Sequence, residues 1–148
     1  MMRKLVRFLQ IAAILWTWCS QGLAHADVHV LVNAANPLGN ISQKEATDLF
    51  MGRTRVYPDG SAVVTLDLPR DSTVRAAFYE SLTGLTQAQI NSYWARLMFT
   101  GRTMPPQTMS SEQAMLEYLH RHPGAIGYLG RDPGDRQLRT ILILKEGR

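Results

Sequence analysis

Val28, Val30 and Val32 share one face of Asp27–Asn33, and this period of two predicts a first strand. Turn formers at Asn36-Pro37 and Gly39-Asn40 follow, and then Ser42 with Glu45 three residues on, the pattern of a capping box. Ala46, Leu49 and Phe50 supply the apolar face of a short helix, and Gly52 sits where a helix stops. After the turn Tyr57-Pro58-Asp59-Gly60, the stretch Ala62 to Leu68 is apolar at nearly every position, which predicts a buried strand ended by Pro69. Asp71 and Ser72 offer caps for a helix carrying Val74, Ala77, Phe78 and Leu82 and closed by Gly84. Thr86 and Gln89 form another capping box, ahead of a core stripe Ile90, Tyr93, Trp94, Leu97 and Met98 at i, i+3, i+4, i+7, i+8. Gly101 ends that helix and Met104-Pro105-Pro106 marks a loop. Ser110 with Gln113 opens a last helix bearing Met115, Leu116 and Leu119, broken at His122-Pro123-Gly124. Ala125–Leu129 and Leu138–Leu144 are the closing strands. Strands alternating with helices imply an α/β fold, a single three-layer domain with a mixed sheet flanked by helices.

The first 26 residues read differently. Arg3, Lys4 and Arg7 precede an apolar run from Phe8 to Trp18, and the segment closes with Ala24-His25-Ala26. Basic head, apolar run and small-x-small exit are the three parts of a signal peptide, which implies a periplasmic, secreted protein. A run of about eleven residues falls short of the ~20 that cross a bilayer, which favours a cleaved leader over a retained anchor. Attachment of a lipid at Cys19 is disfavoured by Trp18, where a lipobox wants a small residue. The expected division is residues 1–26 as leader and 27–148 as one domain, not membrane-spanning after cleavage.

Cleavage changes the chemistry on offer. Cys19 is the only cysteine of the chain and leaves with the leader, taking thiol catalysis and cysteine-based metal sites with it. Of 16 basic residues against 12 acids, three belong to the leader, so the remainder is nearly balanced and its arginines are interleaved with acids. No basic stripe points to nucleic acid. A serine-hydrolase elbow, P-loop, zinc-protease motif and dinucleotide fingerprint are all missing, so the chain does not read as an enzyme and calls for no cofactor. His120 and His122, two apart at a helix end, read as capping or surface groups, and His29 lies on the polar face of the first strand. Arg53 and Arg55 after the first helix read as a solvated edge.

One segment concentrates donors. Leu66–Arg75 runs from the second strand into a helix start, where free N–H groups and the helix dipole favour an anion. Ser72 and Thr73 bring hydroxyls to that point and Arg70 lies just before it. Arg75 sits in the first turn, a poor place for a cation unless an anion is near. The candidate ligand-binding residues are therefore Arg70, Ser72, Thr73 and Arg75, with phosphate or a similar oxyanion as ligand. The competing reading of Ser72 and Thr73 is an ordinary helix cap.

Longer stretches carry a family resemblance. Val30-Leu31-Val32-Asn33, Ile41-Ser42 and Glu45 to Arg53, with Leu49-Phe50 and Gly52-Arg53, resemble the phosphate-binding periplasmic proteins of ABC importers. Tyr57-Pro58-Asp59 is similar to an aromatic-x-Asp turn of that family. Arg70-Asp71-Ser72-Thr73 stands where the family has R-x-D-G-S-G-T, followed by Phe78-Tyr79, and Gly124 to Tyr128 is similar to its G-x-I-G-Y strand. The resemblance spans Val28 to Leu129. It implies one lobe of a type II periplasmic binding protein, an oxyanion held by Arg70, Ser72 and Thr73, and an envelope transporter or receptor as partner. The glycines flanking the family's serine are absent here, and so is the segment building a first lobe. The alternative is a protein-interaction or sensory module of the cell envelope that keeps the fold without the ligand.

Overall fold

The computed structural model describes residues 27–145, so the expected leader lies outside the described residues. Nine elements follow in order: β1 Val28–Asn33, α1 Gln43–Phe50, β2 Val64–Asp67, α2 Thr73–Thr83, α3 Gln87–Phe99, β3 Gln107–Thr108, α4 Glu112–Arg121, β4 Ala125–Leu129 and β5 Leu138–Leu144. Three of the expected helix starts form through the residues named above. The Ser42 and Thr86 hydroxyls accept from the amides of Glu45 and Gln89, whose side chains return to the cap amides, and Ser72 caps α2. Gly84 ends α2 in the left-handed region at φ 73°, where a side chain would be strained.

The strands form one mixed sheet in the order β3-β2-β4-β1-β5. β1 runs antiparallel to both β4 and β5, while β2 runs parallel to β3 and β4. β4 is buried at all five positions, as a strand covered on both faces must be. Alternate residues of β4 show what covers it. Tyr128 points to α1 and α2, its ring stacked on Phe78 at 3.7 Å between centroids and meeting the edge of Phe50 at 6.0 Å. Gly127 points the other way, where a Cβ would lie 2.7 Å from Met115 Sδ of α4. The missing side chain lets α4 lie against the sheet, and the α/β three-layer architecture follows.

Three local expectations are corrected. The second strand is shorter than Ala62–Leu68: Ala62 only bridges Val56, and Val64 at the strand's outer end is 41% exposed. α4 is capped by Ser111, whose hydroxyl accepts from Ala114 N, and not by Ser110. The loop after α3 contains β3, a two-residue strand that pairs Gln107 and Thr108 with Leu66 and Asp67. Two residues leave too short a pattern to be read as a strand.

Candidate functional site

β2 and β3 each feed a helix, β2 into α2 through Leu68–Ser72 and β3 into α4 through Met109–Ser111. Because β2, β3 and β4 are parallel, both helix starts rise from the same edge of the sheet, beyond the carboxyl ends of the strands. Open α/β sheets bind ligands at that edge.

Pro69–Ser72 closes as a turn, with Ser72 N donating to Pro69 O at 3.0 Å. Arg70 occupies that turn, exposed, and its guanidinium enters no ion pair or hydrogen bond among the described residues. Ser72 is half-buried and its Oγ accepts from Arg75 N at 3.2 Å, which leaves the hydroxyl proton free to donate outward. Thr73 is exposed. The N–H groups of Thr73 and Val74 open α2 and have no protein acceptor among the described residues. The turn thus gathers two hydroxyls, two amides and one guanidinium. Gly130, at the end of β4, flanks it: a Cβ there would stand 3.1 Å from Val74 Cγ2, and its amide donates to Glu112 Oε2 at 3.0 Å.

Arg75 behaves otherwise than expected. It turns inward, 4% exposed, and its Nε donates to Asp67 Oδ2 at 2.9 Å. Its Nη1 reaches Gln87 Oε1 at 3.3 Å and Asn91 Oδ1 at 3.1 Å on α3, and the guanidinium lies 5.0 Å over the Tyr79 ring. The anion that permits a cation in this first turn is the protein's own carboxylate, so Arg75 supports the helix start from beneath and does not line it.

Asp67, an acid within the apolar second strand, is the hub of this edge. Besides Arg75 it accepts from Tyr128 Oη at 2.5 Å, Leu68 N at 2.9 Å and Tyr79 Oη at 3.3 Å. Two sequence anomalies signalled it: an acid within a buried strand, and eight residues later a cation in a helix's first turn. Each explains the other. The same arrangement pushes the Tyr79 and Tyr128 phenols well above the usual tyrosine range, first through burial and then through the negative charge of Asp67. A folded-state pKa raised above the unfolded value contributes stability that is complete below the unfolded pKa and is lost as pH rises through the folded one. In an alkaline absorbance titration, Tyr79 and Tyr128 are therefore expected to ionise only as the chain unfolds, with phenolate absorbance and loss of far-ultraviolet ellipticity rising together. Their ionisation in the folded chain would contradict that placement.

The remaining candidates stand apart from this edge. His120 Nε2 meets Asp135 Oδ2 at 2.6 Å, tying the end of α4 to the β4–β5 loop. His122 Nδ1 lies 2.9 Å from Tyr118 O, with its ring stacked on Tyr118 at 3.9 Å. Both are engaged as structural groups. Among the described residues no cluster of His, Cys, Asp and Glu is arranged to hold a metal, and no helix is long and apolar enough to cross a membrane. His29 is half-buried and its Nδ1 is buried without a hydrogen-bond partner among the described residues, so it is less polar in its surroundings than its strand position implied.

No protein-family model matches the chain, and no curated protein resembles it in sequence. Its fold does have solved neighbours. It superposes on a protein of Clostridium perfringens described as a phosphate ABC transporter substrate-binding protein and solved with bound phosphate, at TM-score 0.63 and 15% identity, over 78% of this chain and 44% of that one. An ABC-type phosphate transport receptor from Vibrio cholerae matches at TM-score 0.61 and 17% identity, over 78% and 45%. PstS from Borrelia burgdorferi matches at 0.54 and 11%, over 70% and 40%. The chain spans less than half the length of these binding proteins, and at such identities the likeness is one of fold. The described residues have the fold of one lobe of a phosphate-transport binding protein.

Proposed function

We propose that the chain is a periplasmic solute-binding-like protein that holds phosphate or a similar oxyanion at the start of α2 and is related to phosphate uptake. The reading is supported by the turn at Arg70–Val74, which brings two amides without a protein acceptor among the described residues, the Ser72 and Thr73 hydroxyls and an exposed Arg70 to the carboxyl edge of the parallel strands. The neighbours of the same fold include one solved with phosphate bound. Binding is by charge-assisted hydrogen bonds and involves no covalent step. Asp67 holds Arg75 under the turn and so positions the helix that presents the donors. The leader over residues 1–26 would deliver the chain to the periplasm, where an envelope transporter or receptor would be its partner.

Thermal melts with and without millimolar phosphate test this reading. A ligand present at a hundred times its Kd adds about 2.7 kcal/mol of stability, a rise in midpoint of several degrees for a chain of this size. Arg70→Ala and Ser72→Ala are expected to abolish the rise. Ser72→Ala also lowers the ligand-free midpoint, because losing a cap costs about 1 kcal/mol. A wild-type chain whose midpoint ignores phosphate and sulfate is an interaction module with a retained fold. A rise that survives both substitutions puts the anion elsewhere.

A further inference from the structure

We infer that a face built from the Arg55–Val56 segment and the end of α3 docks on the surface of an anionic phospholipid bilayer. Six large apolar side chains are conspicuously exposed among the described residues, and four of them fall in two segments: Val56 at 47%, Met98 at 44%, Phe99 at 94% and Met104 at 71%. The segments are joined in space. Arg55 Nη2 donates to Thr103 Oγ1 at 2.8 Å, Tyr93 Oη donates to Met51 O at 2.7 Å, and a Cβ on Gly52 would meet Trp94 and Thr103. Phe99 ends α3, where an amphipathic helix bound only to its own sheet would carry a polar residue. The expected core stripe of α3 accordingly runs one position too far, and Met98 emerges into solvent.

Basic side chains dominate these segments, and the acids next to the first of them in sequence are Asp48 and Asp59. No Asp or Glu occurs from Ser81 to Ser111 or from Leu49 to Pro58. Arg55, Arg96 and Arg102 are exposed within those segments, and Arg53 is exposed too, though it shares Asp48 with Lys44. Exposed apolar side chains at a helix end, with exposed arginines close in sequence, match the layered chemistry of a bilayer surface, where anionic headgroups lie above hydrocarbon. A soluble anion would be served by the arginines alone and would leave Phe99 without a role. A second copy of this chain would bring the same arginines against one another.

Vesicle sedimentation tests this. The chain from Asp27 to Arg148 is the protein to use, because its described core is built entirely from residues 28–144 and the apolar run before Asp27 would seek lipid by itself. It is expected to pellet with vesicles of phosphatidylglycerol mixed into phosphatidylcholine, to remain free with phosphatidylcholine alone, and to be released by salt. Phe99→Ser removes a buried ring's worth of partitioning, a loss of about tenfold or more. Arg96→Glu together with Arg102→Glu costs about fivefold for each arginine removed, before added repulsion. All three positions are exposed, so an unchanged melting midpoint confirms that the variants remain folded. Arg70→Ala and Ser72→Ala are expected to leave vesicle binding intact, so it stands or falls separately from phosphate binding. Equal binding to neutral and anionic vesicles, or none, overturns the proposal. So does loss of binding in the Arg70 and Ser72 variants, which would assign lipid phosphate to the anion turn. Phe99→Ser converting a dimer to a monomer in ultracentrifugation, with no vesicle binding by either, would identify a protein partner instead.

Discussion

Asp67→Ala is expected to lower stability by roughly 3–5 kcal/mol, because it leaves the Arg75 guanidinium buried with no anion. Arg75 is 4% exposed, so its charge depends on the protein groups around it. The substitution also strips acceptors from the Tyr79 and Tyr128 hydroxyls and from the Leu68 amide, all of them buried. Domains of this size are stable by only about 5–15 kcal/mol, so most of the margin goes. The midpoint in a thermal scan should fall by roughly 10–20 °C. Removing the charge on both sides is a different matter. Asp67→Leu with Arg75→Met is expected to cost far less than Asp67→Ala alone, since a buried ion pair replaced whole by apolar groups is often near neutral. A double-mutant cycle in urea measures both. An Asp67→Ala cost below about 1 kcal/mol would mean that Arg75 is not held as described.

Phe78→Ala should be nearly as damaging, at about 3–5 kcal/mol. The ring is fully buried, lies parallel to Tyr128 at 3.7 Å and takes the edge of Phe50 at 4.7 Å, so its loss opens a cavity bounded by α1, α2 and β4. Part of the cost is the loss of three ring–ring contacts, with Phe50, Tyr79 and Tyr128, each worth about 0.5–1.5 kcal/mol beyond the area buried. Phe78→Leu, which refills most of the space, should recover more than half the loss. Urea midpoints at constant slope are the measure. Equal costs for the two substitutions would show that the cavity collapses and that the stacked pair contributes little.

The two substitutions also bear on the site. Phe78 and Arg75 fix α2 against the sheet and α3, and the donors proposed for the anion are the first residues of that helix. Variants weakened at either position are expected to lose phosphate response in proportion to the tilt of α2, without any change to Arg70, Ser72 or Thr73.

What could be read from the chain divides along a physical line. Local signals survived intact, since the Ser42 and Thr86 capping boxes and the Gly84 stop depend on residues within one turn. The helix start at Ser72 was legible for the same reason. Pairings between distant residues were not. The acid in a buried strand and the cation in a first turn each stand out alone, but their meeting, and the hydroxyls of Tyr79 and Tyr128 that join them, come only with the fold. β3 is made by register with β2 and has almost no pattern of its own. Arg75 is the instructive case: a cation in the first turn of a helix needs an anion beside it, and tertiary structure supplies an internal one. Met98 shows the opposite failure, a periodic stripe that outlasts the surface it packs against.

The anion turn is tested most directly by amide NMR. On adding inorganic phosphate to the folded chain, the N–H resonances of Thr73 and Val74 should move first and furthest, saturably, with Ser72 beside them and the distant α4 amides still. Resonances at α2 that stay fixed while phosphate is raised to tens of times any plausible working concentration, or that move no more than those of exposed loops elsewhere, would contradict the assignment of a ligand to this helix start.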